Sequence, residues 1–214
     1  QKTAYEMCGR DWSSDVCSSD LAVAGIGVAL ANLEDEIEHH YDVDECEYYL
    51  SDPELRRNWR LNVLPSYKSH RSSGTRPLLY TPLRQWAERK LGAGWYSGFE
   101  GDDLVGLASG PGSIIVSIDK DMRTIPGLHF NPDRPDDGVV EVTPEEAWRF
   151  HMLQTLMGDR VDGYPGCPGI GPVRAERILS EASDCRKDNS DLSWETALWQ
   201  GVVAAYAKHG FDEA

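Results

Sequence analysis

The stretch Gly158 to Leu179, GDRVDGYPGCPGIGPVRAERIL, decides how the rest of the chain is read. Asp159 and Asp162 stand where a helix should end, and four glycines and three prolines lie between Gly163 and Pro172. Gly169-Ile170-Gly171-Pro172 then stands where the next helix should begin, with Pro172 suited to a first helical position. Glycines leave backbone N–H groups open to an anion, because no side chain keeps a phosphate away. The stretch thus joins a candidate cation site to a candidate phosphate site. Its competing reading is a helix cap followed by a tight turn, and the residues elsewhere decide between them.

The chain has 214 residues, 40% of them hydrophobic, with seven Trp and nine Tyr, which is enough to bury a real core. No apolar run is long enough to span a bilayer, and no secretory signal stands at the start. Cys8, Cys17, Cys46, Cys167 and Cys185 show no CxxC and no paired zinc spacing, so they read as reduced thiols of a cytoplasmic protein. The net charge of −15 argues at first against nucleic acid. Its distribution reverses that. Between Asp52 and Lys90 nine basic residues face three acidic ones, so a basic segment sits on an acidic body.

Taken in order, residues 1 to 21 lack any helical or strand period, resemble translated adaptor sequence and are set outside the fold. Ile26, Leu30, Leu33 and Ile37 predict a helix from Leu21 to about His40, with His39 and His40 as surface residues. CEYYLS, Cys46 to Ser51, predicts a strand ending at Asp52. Pro53 to Arg76 carries Arg60, Tyr67, Lys68, Arg71 and Arg76 with little periodic structure, as a mobile arm over a polyanion would. A helix follows through Leu79, Leu83, Trp86 and Leu91, with Gly92 as its stop.

GFEGDDLVG, Gly98 to Gly106, places Glu100, Asp102 and Asp103 at the start of a short helix, where acids commonly cap. SIIVSIDKD, Ser113 to Asp121, predicts a buried strand ending in Asp119 and Asp121, which capping does not explain. Residues 127 to 142 predict a hairpin. Thr143-Pro144-Glu145-Glu146 is a capping box opening a helix to Gly158, and two further helices follow Pro172 and Ser193.

Four places therefore offer acids at element ends: Asp52; Glu100, Asp102 and Asp103; Asp119 and Asp121; Asp159 and Asp162. In an α/β fold strand ends converge on one sheet edge, and carboxylates gathered there need cations to stay ionised. Oxygen-only donors suit Mg²⁺ or Mn²⁺, and two such ions suit phosphoryl displacement.

Together YKSHR, GFEGDD, SIDKD and GDRVDGYPGCPGIGP resemble the 5′→3′ exonuclease and flap endonuclease family, nearest its stand-alone bacteriophage members. The likeness covers about residues 22 to 210. It implies an α/β nuclease core (22–142) of PIN/FEN type, with a mainly parallel sheet and a basic arch segment (53–91). It also implies a helical DNA-binding region (143–214) built on a helix–two-turn–helix. By resemblance Asp52, Glu100, Asp102 and Asp103 serve one metal site, and Asp119, Asp121, Asp159 and Asp162 a second. Lys68 and Arg71 contact the scissile phosphate, with Asp102 and Asp119 counted among the catalytic acids. Arg60, Tyr67, Lys68, Arg71, Arg76, Gly169, Gly171 and Arg174 face DNA, and a K⁺ sits at the Gly169–Gly171 turn.

The implied activity is metal-dependent hydrolysis of DNA from 5′ ends, as in replication and repair. A flap endonuclease or RNase H activity, or a catalytically impaired DNA-junction binder, is the alternative. DNA is the implied partner, with no membrane and no small-molecule cofactor. The sequence departs from the family pattern at the start, where residues 1 to 21 replace a first strand bearing a metal-binding aspartate. Asp15 and Asp20 lie nearby but do not align with it. Asp52 also sits at a looser spacing from Leu64-Pro65 than the family pattern has.

Overall fold

A computed structural model describes residues 2–6, 19–69, 76, 78–187 and 192–211. They fall into two compact units. The first comprises Gln1–Val63, Ser73–Met122 and Gly127–Glu141; the second comprises Leu64–Ser72, Arg123–Pro126 and Val142–Ala214.

The first unit is built on a sheet of order β2-β1-β3-β4-β5. Its strands are β1 (Lys2–Glu6), β2 (Glu45–Tyr49), β3 (Ser113–Val116), β4 (Gly127–Phe130) and β5 (Val139–Val142). β1 pairs parallel with both β2 and β3, with Thr3 opposite Cys46 and Ile114, and β3 pairs parallel with β4. Parallel sheets form when helices cover their faces, and Ile114, Ile115 and Val116 are accordingly buried in succession. Helix α1 (Ser19–Tyr41) brings Ile37 into a core with Tyr48, Ile114, Val116 and Phe130. Full burial of each such side chain contributes about 1.5–3 kcal/mol. Helix α2 (Tyr80–Trp86) runs into a π-turn, Ala87–Leu91, and stops at Gly92, whose φ of +65° is the left-handed cap expected there. Helix α3 (Gly101–Ala108) follows.

Two expectations are corrected. Residues 2–6, set outside the fold with the rest of the leader, form the strand between β2 and β3. The strand expected over Ser113–Asp121 ends at Val116. Beyond it the Ser117 hydroxyl accepts from Asp119 N–H at 3.0 Å and the Asp119 carboxylate from Asp121 N–H at 2.8 Å. Such short side-chain bonds offer the backbone a turn in place of the ladder.

The second unit is helical. α4 (Pro144–Met157), α5 (Pro172–Lys187) and α6 (Trp194–Ala207) enclose Met152, Leu156, Cys167, Leu179, Leu198 and Val202. The Thr143 capping box forms: Thr143 Oγ1 accepts from Glu146 N–H at 3.2 Å, and the Glu146 carboxylate accepts from Thr143 N–H at 2.9 Å. Ser193 caps α6 by accepting from Thr196 N–H at 3.2 Å. Among the described residues no helix is long and apolar enough to cross a membrane.

Candidate functional site

In the first unit the acids of GFEGDD gather around one guanidinium. Glu100 is the N-cap of α3, and Asp103 reaches back to accept from Glu100 N–H at 2.9 Å. The capping role is therefore real. Arg60, on the turn Trp59–Asn62, sets its fork on Asp103, with Nη1 and Nη2 each 2.8 Å from a carboxylate oxygen. The same guanidinium stands 3.7 Å from Glu100 and 3.9 Å from Asp102. Trp59 Nε1 also donates to Asp103, at 3.3 Å. Burial, reinforced by Glu100 and only partly offset by Arg60, pushes the Asp102 carboxyl up to about 6.

Among the described residues no three His, Cys or acidic side chains are gathered closely enough to hold a metal ion as they stand. The donor chemistry nevertheless fits a hard divalent ion. Glu100 and Asp102 are oxygen donors crowded at a helix start, where burial first and Glu100 second disfavour the charged Asp102, and a nearby cation would favour it.

The other acids of this unit are held locally. Asp52 Oδ1 accepts from Glu54 N–H and Oδ2 from Gly98 N–H, both at 2.8 Å. Burial alone would raise its carboxyl, but these donors, with Arg57 nearby, hold it below the usual carboxylate range. Asp119 and Asp121 lie on the turn after β3, with Lys120 Nζ 3.9 Å from Asp121. Arg76, expected on DNA, donates to the Pro53 carbonyl and lies 4.9 Å from the Tyr80 ring.

In the second unit the Gly158 to Leu179 stretch opens with a tight reversal. Asp159 and Tyr164 exchange backbone hydrogen bonds of 2.8 Å, and Gly158 and Gly166 meet backbone to backbone. Asp159 Oδ1 accepts from Val161 N–H at 2.7 Å, so this aspartate shapes the loop that presents Asp162. Lys68 comes to Asp162 twice: its N–H donates to the Asp162 carbonyl at 3.1 Å, and Nζ lies 3.5 Å from the carboxylate. Tyr67 donates its hydroxyl to the other carboxylate oxygen at 3.3 Å, and Lys68 Nζ lies 4.9 Å from the Tyr67 ring. Lys68 is buried and has a left-handed φ of +47°, unusual for a residue with a side chain. Two motifs read separately, YKSHR and GDRVDG, are thus joined at Lys68 and Asp162. Arg71 lies outside the described residues.

At the glycine turn Gly169 has a φ of +70°, and Arg174 Nη1 donates to its carbonyl at 3.0 Å. An added Cβ at Gly171 would meet nothing within 4 Å, so the backbone there is open on that side.

Two residues escaped the sequence reading. Trp59 gave no motif signal. Arg84 sits four before Glu88, a helical pair legible in principle, with Nε 2.9 Å from that carboxylate. It also donates to the Ser51 carbonyl at 2.5 Å and lies 5.1 Å from the Trp95 ring, bracing the end of β2.

No sequence-family model matches the chain. It is 35% identical over 137 residues to the exodeoxyribonuclease of Enterobacteria phage T3, covering 58% of this chain and 44% of that protein. It is 31% identical over 150 residues to the flap endonuclease Xni of Vibrio campbellii, covering 61% of this chain and 56% of the relative. The chain spans about half the length of these relatives. The bacteriophage T5 D15 flap endonuclease, solved in a pseudo-enzyme–product complex with DNA and metal ions, superposes with a TM-score of 0.56 at 16% identity. That match covers 96% of this chain and 88% of the T5 protein. The fold is thus that of a flap-endonuclease-type nuclease. The resemblance carried by the motifs to the 5′→3′ exonuclease and flap endonuclease family stands in sequence relatives as well as in fold.

Proposed function

We propose that the chain hydrolyses DNA phosphodiester bonds from 5′ ends with the aid of divalent metal ions, as a 5′→3′ exonuclease. The observation that supports it most is the pairing of buried Lys68, the proposed phosphate-binding cation, with Asp162 on the acid loop. A buried lysine held by one carboxylate is pre-organised, so a phosphate oxygen arriving at Nζ meets a fixed positive charge. Tyr67 restricts the Asp162 carboxylate by its hydroxyl bond, and the same carboxylate lies 3.5 Å from Nζ. Arg71 is proposed to share the phosphate. Glu100, Asp102, Asp103, Asp119 and Asp121 in the first unit, and Asp159 and Asp162 in the second, are the proposed ligands of Mg²⁺ or Mn²⁺. Asp52 is the weakest candidate, since both its oxygens hold backbone N–H groups. Held by these carboxylates, such an ion would supply an activated water and neutralise charge on the phosphoryl group.

The Gly169–Gly171 turn and Arg174 are proposed to hold duplex backbone, a contact that positions without reading sequence. A K⁺ at that turn would have to share the Gly169 carbonyl with Arg174. The test compares a duplex labelled at the 5′ end with one labelled at the 3′ end, in Mn²⁺ and in EDTA. Early release of short products from the 5′ label alone, lost in EDTA, is expected. Preferred cleavage at a flap junction gives the flap endonuclease. Tight binding with no cleavage in Mn²⁺ gives a junction-binding module instead.

A further inference from the structure

We propose that Trp59, with Phe99 on the adjoining loop, is a stacking platform for an unpaired DNA base beside the acids of GFEGDD. This rests on the nuclease reading above and adds to it a contact with a base rather than a phosphate. Trp59 is 45% exposed and Phe99 37%. Their two loops are fixed to each other at Gly98, so the rings belong to one surface rather than being scattered singly. The Gly98 carbonyl accepts from Trp59 N–H at 3.1 Å, and its N–H donates to the Asp52 carboxylate at 2.8 Å. Gly98 has a φ of +87°, and a Cβ there would stand 3.0 Å from the Arg57 carbonyl oxygen, so the backbones touch. Phe99 N–H donates to the Tyr96 carbonyl at 3.2 Å, and the Phe99 carbonyl accepts from Asp52 N–H at 2.9 Å. The indole of Trp59 is oriented too. Its Nε1 donates to Asp103 at 3.3 Å, and the Arg60 guanidinium carbon lies over the ring, 4.9 Å from its centre. A ring held before its ligand arrives loses little freedom on stacking.

The charge around the rings points to the occupant. Leu55–Asn62 carries three arginines and no acid, and Arg56 and Arg57 are exposed just before Trp59. Arg57 is paired with Glu54 at 2.9 Å, so Arg56 is the cation proposed for a phosphate. Rings interleaved with guanidinium groups suit a strand whose bases stack while its backbone meets cations. Inside a duplex both faces of a base are already covered by its neighbours, so the platform takes an unpaired one.

The test measures affinity of the full chain in Ca²⁺ by fluorescence anisotropy. It compares a blunt duplex with the same duplex carrying a short unpaired 5′ segment, and thermal melts accompany each variant. W59A should weaken binding of the second DNA by about 5- to 150-fold and leave the blunt duplex within about twofold. F99A should weaken the same DNA by about fivefold or more. W59F loses the Nε1 bond to Asp103 but keeps a ring, and should stay within about threefold of wild type. An abasic residue placed at each unpaired position in turn should reveal one where wild type loses what W59A loses. There the two changes together cost no more than either alone. Additive losses at every position overturn the proposal. So does an equal loss in W59F and W59A, which would assign the effect to the Asp103 bond, and so does an equal loss on both DNAs. Unchanged DNA binding by W59A with a lower sedimenting mass would assign the rings to a protein interface and overturn it as well. A wild-type chain that binds neither DNA overturns the nuclease reading itself, a result distinct from binding that is indifferent to Trp59.

Discussion

Gly158 and Gly166 lie backbone against backbone: a Cβ on Gly158 would fall 2.6 Å from Gly166 N, and one on Gly166 would fall 2.3 Å from Gly158 N. Both have positive φ, +75° and +67°. The loop that carries Asp159 and Asp162 is therefore closed by the absence of two side chains. Gly166→Ala meets rigid backbone on one side and a disfavoured φ on the other, and should cost about 3 kcal/mol or more in guanidinium unfolding. A loss under about 1 kcal/mol would mean the two strands of the loop separate easily.

Gly171 permits a cleaner probe of the turn proposed to hold phosphate. An added Cβ meets nothing within 4 Å and no positive φ is required there, unlike Gly169 at +70°. Gly171→Leu should leave the melting temperature within a few degrees of wild type while weakening duplex binding about tenfold across unrelated sequences. Unchanged affinity, read by fluorescence anisotropy, would take the turn out of the DNA interface.

Asp52 couples stability to pH. Its folded carboxyl lies below the ordinary range, so its contribution is present above the unfolded value of about 3.9 and is lost as pH falls through the folded value. Asp52→Asn removes the charge but keeps one acceptor, and should cost about 1–2 kcal/mol near neutral pH. In urea unfolding the gap between wild type and variant should close on acidification below about pH 4. A gap that stays constant would show that the charge is not what holds Gly98.

Lys68 carries a backbone cost in the left-handed region, at φ +47°, of about 1 kcal/mol. Lys68→Gly relieves that cost while deleting the Nζ group, so it should fold at least nearly as well as wild type and cleave about a hundredfold more slowly or worse. An active Lys68→Gly variant would remove the lysine from the chemistry.

What was legible in the sequence follows from how local each signal is. The Thr143–Glu146 box, Pro172 and the Gly92 stop are set within a few residues of themselves, and their helices begin or end where their patterns place them. The end of β3 was misplaced because Ser117 and Asp119 turn the chain with their own side chains, a competition that an Ile/Val pattern hides. The pairing of Arg60 with Asp103 spans 43 residues, and that of Tyr67 with Asp162 spans 95. Charge counting marked Arg60 for DNA because a guanidinium suits phosphate and carboxylate equally. Only the tertiary fold shows it engaged with an acid.

The central claim is that these carboxylates carry metal-dependent hydrolysis at DNA 5′ ends, and single-turnover cleavage of a 5′-labelled duplex in Mg²⁺ tests it most directly. Asp102→Asn and Asp162→Asn should each slow cleavage by about a thousandfold or more, with duplex affinity in Ca²⁺ held within about threefold of wild type. Cleavage by either variant at the wild-type rate, or wild-type cleavage that persists in EDTA, would contradict the account.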